Sequence, residues 1–163
     1  MIVDVGHPFY SQFRDGIRFR AVYSGRNIKA KRELMRLKRK QESDADLIEA
    51  PRRVIQHFLG GRFDMVTVPP ASADGVPFAE WIGTRVARWL NIDFETVFAP
   101  ANRKTRCWRG AKLQDYKTEL AADVTEQRVL LFDDFGETLL TMTRCLRALQ
   151  DCKAVGGLIL CGV

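Results

Sequence analysis

The chain has 163 residues, 46% of them hydrophobic and 28% charged, with a formal net charge of +6. Such a length and balance describe one globular unit able to bury a core without staples, and exclude low-complexity, fibrous and repeat architectures. No apolar run approaches the ~18 residues of a membrane helix, Met1 opens no signal peptide, and four cysteines (Cys107, Cys145, Cys152, Cys161) with two histidines (His7, His57) give no metal-ligand or disulfide spacing, which together point to a cytoplasmic protein with no membrane partner.

The first 25 residues carry His7, Phe9, Tyr10 and Phe13 and read as a hood or edge segment, ending in a strand over residues 17–23 where apolar and charged side chains alternate. Ser24-Gly25-Arg26-Asn27 closes it as a turn. A helix follows over residues 28–40, with Ile28, Leu34, Met35 and Leu37 as its apolar members. The window from Lys29 to Lys40 holds seven basic residues and one acid, so it carries the whole net charge. It reads either as a face for phosphates or nucleic acid, or as a solvated helix surface. A second helix is predicted over residues 46–59. Pro51 either breaks it or marks a fresh first turn, and Gly60-Gly61 stops it.

Residues 63–68 read as a short strand, 69–75 as a loop. Phe78, Ile82, Val86, Trp89 and Leu90 recur at helical spacing, and with Trp81 they read as core. Residues 94–98 read as a strand and 100–117 as a polar, basic stretch interrupted by Trp108, a lid anchor or a partner contact. Residues 128–132 form the most apolar strand. Leu139, Met142, Leu146 and Leu149 mark a helix, and residues 155–161 a last strand. Cys145 and Cys152, seven apart, share one helix face as buried thiols, and His57 sits at a helix end. This alternation predicts an α/β fold, a mostly parallel sheet with helices on both faces, in one domain spanning residues 1–163. Ligands in such sheets bind at the carboxyl ends of the strands, near a switch point of the topology.

The richest strand end is the one after residue 132. There an apolar run emerges as Asp133 and Asp134, followed by Phe135-Gly136-Glu137-Thr138 and by Leu139-Leu140-Thr141 at the start of a helix. A helix N-terminus offers N–H groups and positive dipole to a phosphate, Thr138 and Thr141 offer hydroxyls, and the two carboxylates can grip ribose hydroxyls or face a divalent cation. The alternative is that the acids only end a strand and cap a helix.

This segment resembles the phosphoribosyl-pyrophosphate (PRPP) loop of type I phosphoribosyltransferases, which reads D-D-x-x-T-T-G-x-T after a strand. Asp133, Asp134, Thr138 and Thr141 match; Glu137 stands where the first threonine is usual and Leu139 where glycine is usual. Tyr23-x-Gly25-x-x-Ile28, the basic helix with Lys38, and Asp64-x-Val66-Thr67-Val68-Pro69 resemble the competence-protein F (ComF-like) branch. The resemblance implies that Phe135 to Thr141 hold the ribose phosphate and that Pro70, Ala71 and Ser72 receive pyrophosphate. It further implies that Arg103, Lys104 and Arg106 lie on a mobile catalytic loop, and that Asp133 and Asp134 work with magnesium (Mg2+). An aromatic of the amino-terminal hood would stack on the base or merely cover the core.

The expected activity is transfer of a 5-phosphoribosyl group from PRPP to a nitrogenous base or related acceptor, with release of pyrophosphate. The departures at Glu137 and Leu139 carry an alternative: a protein of this fold that senses nucleotides, or binds single-stranded nucleic acid through Lys29 to Lys40, without catalysis, in the DNA uptake or processing role that the ComF-like resemblance implies. A homodimer is an assembly either reading admits.

Overall fold

The computed structural model describes residues 1–40, 45–70, 78–100, 118–136 and 139–162. In chain order the elements are β1 (Ile2–Val3), β2 (Tyr10–Arg14), β3 (Ile17–Tyr23), α1 (Ile28–Lys40), α2 (Ala45–Glu49), α3 (Arg52–Leu59), β4 (Met65–Thr67), α4 (Phe78–Leu90), β5 (Asp93–Phe94), β6 (Arg128–Phe135), α5 (Leu140–Ala148) and β7 (Ala154–Cys161). The strands join one sheet in the order β2-β3-β7-β6-β4-β5, and β1 pairs with β7 beside β3. All pairings are parallel except the β2–β3 hairpin.

Strand alternation divides the core into two layers. Leu130 and Phe132 of β6 face a cluster with Leu34 and Leu37 of α1, Ile55 and Leu59 of α3, and Ile82 and Val86 of α4. Val129 and Leu131 face the opposite cluster, with Met142, Cys145, Leu146 and Leu149 around α5. Helices therefore cover both faces, as the sequence predicts. Cys145, Cys152 and Cys161 are buried and form no disulfide, and because α5 ends at Ala148 Cys152 lies beyond the helix instead of sharing a face with Cys145.

Several boundaries differ from the expectation, each for a local reason. The amino-terminal segment supplies strands: β1 docks on β7, and β2 turns into β3 through Asp15 and Gly16, both with positive φ (50° and 76°), the pairing of a tight hairpin turn. The helix over 46–59 divides at Pro51, whose carbonyl accepts from the Ile55 N–H at 2.9 Å as α3 begins. Asn27 caps α1, its Oδ1 accepting from the Ala30 N–H at 3.0 Å. The strand over 63–68 shrinks to β4. The strand over 94–98 shrinks to β5, and Phe98 instead forms an isolated antiparallel bridge with Leu120. The strand over 128–132 runs on to Phe135, because β7 keeps pairing it: Asp133 opposes Ile159, and Phe135 opposes Cys161.

Asp64 and Arg128 clamp the amino ends of β4 and β6. Asp64 accepts from the Arg128 backbone N–H at 2.8 Å and from its guanidinium. These bonds hold the Asp64 carboxyl below the usual range. A lowered carboxyl stabilises the fold above the unfolded-state value and loses that contribution as pH falls through the folded-state value. Asp64→Asn is therefore expected to cost about 1 kcal/mol or less at neutral pH, because the pair is partly exposed and screened. The difference should vanish in strong acid, as urea unfolding at the two pH values will show. No helix among the described residues is long and apolar enough to cross a membrane.

Candidate functional site

The crevice is placed by the crossovers. From β4 the chain leaves through α4 to β5 on one side; from β6 it leaves through α5 to β7 on the other. The two strands are direct neighbours, with Val66 opposite Leu130 and Thr67 opposite Leu131. This is a switch point of the topology, where the connections diverge and where ligands bind in open α/β sheets. Beyond Thr67 the β4 strand stops while β6 continues. Phe132 to Phe135 therefore keep β7 on one side without a β4 partner on the other, while in the chain leaving β4 Val68 and Pro69 are buried and Pro70 is half-buried.

The two acids point to opposite faces of the sheet. Asp134 lies on the α1 side, only 4% exposed. Lys38 of α1 reaches it, with Nζ 2.8 Å from Oδ2. Asp133 lies on the α5 side, half-buried, and its Oδ1 accepts from the Asp134 backbone N–H at 2.8 Å. Burial pushes the Asp133 carboxyl well above the usual carboxylate range; the neighbouring Asp134 charge adds to this, and the Asp134 N–H and Lys38 offset only part of it. The site thus pairs a carboxylate already matched by a cation with a carboxyl that holds its proton unusually tightly.

Gly136 and Leu139 stand on either side of the entry to α5. Gly136 donates its N–H to the Cys161 carbonyl at 3.1 Å. A Cβ at Gly136 would come within 2.8 Å of Ile159 Cδ1 and 3.0 Å of Leu139 Cδ2, so no larger residue fits without movement. Leu139 then adopts φ 56° and ψ 3°, in the left-handed region, immediately before α5. Its carbonyl accepts from both the N–H and the Oγ1 of Thr143, at 2.8 Å each. At the position where the resembled motif has glycine, the backbone therefore keeps the glycine-type conformation, on a leucine. Left-handed backbone costs a non-glycine residue roughly 1–2 kcal/mol. Leu139→Ala should retain that strain and Leu139→Gly should release it. The glycine variant is expected to be the more stable of the two by about 1 kcal/mol, since both lose the same side-chain packing. Thermal unfolding of the pair measures this difference.

Of the other residues singled out from sequence, Phe135 is half-buried with Lys31 Nζ 5.3 Å from its ring centre, and Leu140 and Thr141 form the half-buried first turn of α5. Ala71, Ser72, Arg103, Lys104, Arg106, Glu137 and Thr138, with Cys107 and Trp108, lie outside the described residues. Tyr23 donates its hydroxyl to the Leu47 carbonyl at 2.8 Å, and its burial raises the phenol. The amino-terminal aromatics do not meet the acids. Phe9 is in the core, while Tyr10 and Phe13 are exposed on β2, separated from β6 by β3 and β7. His57 is in the last turn of α3, and Phe78, Trp81 and Trp89 belong to or pack on the core.

On α1, Ala30, Leu34 and Leu37 are buried, and Lys29, Arg32, Arg36, Lys38 and Arg39 are exposed. Ile28, Lys31, Arg32, Met35, Arg36 and Arg39 line a groove of about 560 Å³. Two contacts between α1 and β6 had no signal in the sequence: Lys38 with Asp134, and Lys31 with Phe135.

No family model and no curated protein matches the chain. Solved structures do. A hypoxanthine-guanine-xanthine phosphoribosyltransferase is similar at 18% identity over 72% of this chain, with TM-score 0.46, and the chain spans 62% of that protein's length. Adenine phosphoribosyltransferase from Thermoanaerobacter pseudethanolicus is similar at 15% identity over 95% of each chain, with TM-score 0.49. A hypothetical protein from Neisseria gonorrhoeae with bound ppGpp is similar at 16% identity over 74% of this chain and 69% of its own, with TM-score 0.45.

Proposed function

We propose that the protein binds PRPP at the carboxyl ends of β4 and β6 and transfers its 5-phosphoribosyl group to a nitrogenous acceptor, releasing pyrophosphate. The observation that carries this reading is the placement of Asp133 and Asp134 at the switch point, on the stretch of β6 that outruns β4. In this reading ligand binding favours the ionised form of Asp133, which accepts a hydrogen bond from a ribose hydroxyl, and the first turn of α5, with Thr141, takes the 5-phosphate. Pyrophosphate lies toward Pro70, Ala71 and Ser72, and Arg103, Lys104 and Arg106 neutralise it as it departs. Magnesium, which the resemblance implies, does not fit Asp134 as it stands, because an ammonium already holds that carboxylate.

Incubation with PRPP and a panel of acceptors, including adenine, guanine and hypoxanthine, tests the transfer. Pyrophosphate release that depends on one acceptor supports it. PRPP bound without release under any acceptor leaves a sensor of the same ligand.

The cationic groove on α1 favours a second reading, single-stranded nucleic acid held across Lys31, Arg32, Arg36 and Arg39. Log K should then fall with log salt at about −0.7 per neutralised phosphate, and charge reversal at Arg32 and Arg39 should flatten the slope. Binding that ignores salt rejects it.

A further inference from the structure

A buried carboxylate needs a cation or several donors to replace water. Asp134 finds a cation within the fold, Lys38, although its buried Oδ2 has no hydrogen-bond partner of good geometry among the described residues. Its side chain is 5% exposed while that of Lys38 is 45% exposed, so the pair joins a buried carboxylate to a lysine that reaches solvent. Lys38 belongs to α1, whose Leu34 and Leu37 are fixed in the same core layer as Phe132 of β6. The lysine is thus delivered by a packed element rather than by a loose arm. An ammonium has three N–H donors, so contact with Asp134 leaves others available to a ligand. A divalent ion on the same carboxylate oxygen would stand against this ammonium and be repelled by it.

Resting on the reading that a sugar phosphate binds at the end of β6, we propose that the Lys38 ammonium occupies at Asp134 the place a divalent cation would otherwise take. PRPP then meets a carboxylate already neutralised by the protein, and the remaining N–H groups of Lys38 bond one of its phosphate or hydroxyl oxygens. Any magnesium that accompanies PRPP rides on its pyrophosphate and leaves Asp134 alone.

The test compares PRPP affinity by calorimetry in magnesium and in chelator, for the native protein, Lys38→Gln and Lys38→Arg. The quantity read is the ratio of the two affinities. Removing the ammonium should make Asp134 depend on the metal, so the ratio for Lys38→Gln should exceed the native ratio by about tenfold. Lys38→Arg keeps the charge and should stay near the native ratio. Thermal unfolding without PRPP supplies a second readout, because a ligand that binds only the folded state raises the midpoint. Millimolar magnesium should raise the midpoint of Lys38→Gln and leave the native protein unmoved. Equal ratios in the native protein and Lys38→Gln, with both binding PRPP, would overturn the proposal while sparing the site. A Lys38→Gln protein that magnesium neither stabilises nor refolds contradicts it as well. A native protein that binds no PRPP in either buffer removes the site reading, and this inference with it.

Discussion

Replacing Phe132 with alanine is expected to remove about 3–5 kcal/mol of stability, the usual cost of emptying a fully buried phenylalanine site. Phe132 is 0% exposed, on the strand next to Asp133, and packs in the layer formed by α1, α3 and α4. A loss of that size is a large fraction of a domain's stability, roughly 5–15 kcal/mol, so the unfolding midpoint should fall steeply. Phe132→Leu keeps most of the volume and should cost less than about 1.5 kcal/mol. Urea unfolding of both variants measures the contrast. The result bears on function because the side chain that anchors β6 also sets where the two acids emerge.

Asp133→Asn is expected to move binding and stability in opposite directions. A lost charged hydrogen bond costs ~1.5–3 kcal/mol, so PRPP affinity should fall about ten- to a hundredfold. Stability should rise at neutral pH. The folded-state carboxyl of Asp133 is raised by burial and by Asp134, so its ionised form weighs against the fold. That penalty is absent below the unfolded-state value, grows as pH rises toward the folded-state value, and is complete above it. The stabilisation by asparagine should therefore be present at neutral pH and disappear in acid. Asp134→Asn should lose stability, because it strips the Lys38 ammonium of its counter-charge. Thermal midpoints against pH, beside PRPP titrations, separate the two acids. A site carboxylate that costs stability and gains ligand is the pattern expected where function is bought with strain in the fold.

Strands and helices with a clear period were readable from the chain. Residues 17–23 alternate, and the structure forms β3 there; residues 28–40 carry a helical apolar stripe, and α1 occupies them. What escaped was settled by partners distant in sequence. Two acids at a strand end read locally as loop, yet Asp133 and Asp134 remain in β6 because β7 offers them a ladder. The β2 hairpin had a legible mark, the Asp15-Gly16 pair, but polar neighbours hid the strand period beside it. The glycine-type backbone at Leu139 runs against its residue type, which only coordinates reveal. The Lys38–Asp134 contact joins α1 to a strand formed late in the chain, and no spacing announces it.

Calorimetric titration of the native protein with PRPP tests the central claim most directly. The account predicts saturable binding to one site per chain, with affinity lowered about tenfold or more by Asp133→Asn, in keeping with the loss of a charged hydrogen bond. No heat of binding from the folded native protein, or an affinity that Asp133→Asn leaves unchanged, would contradict it.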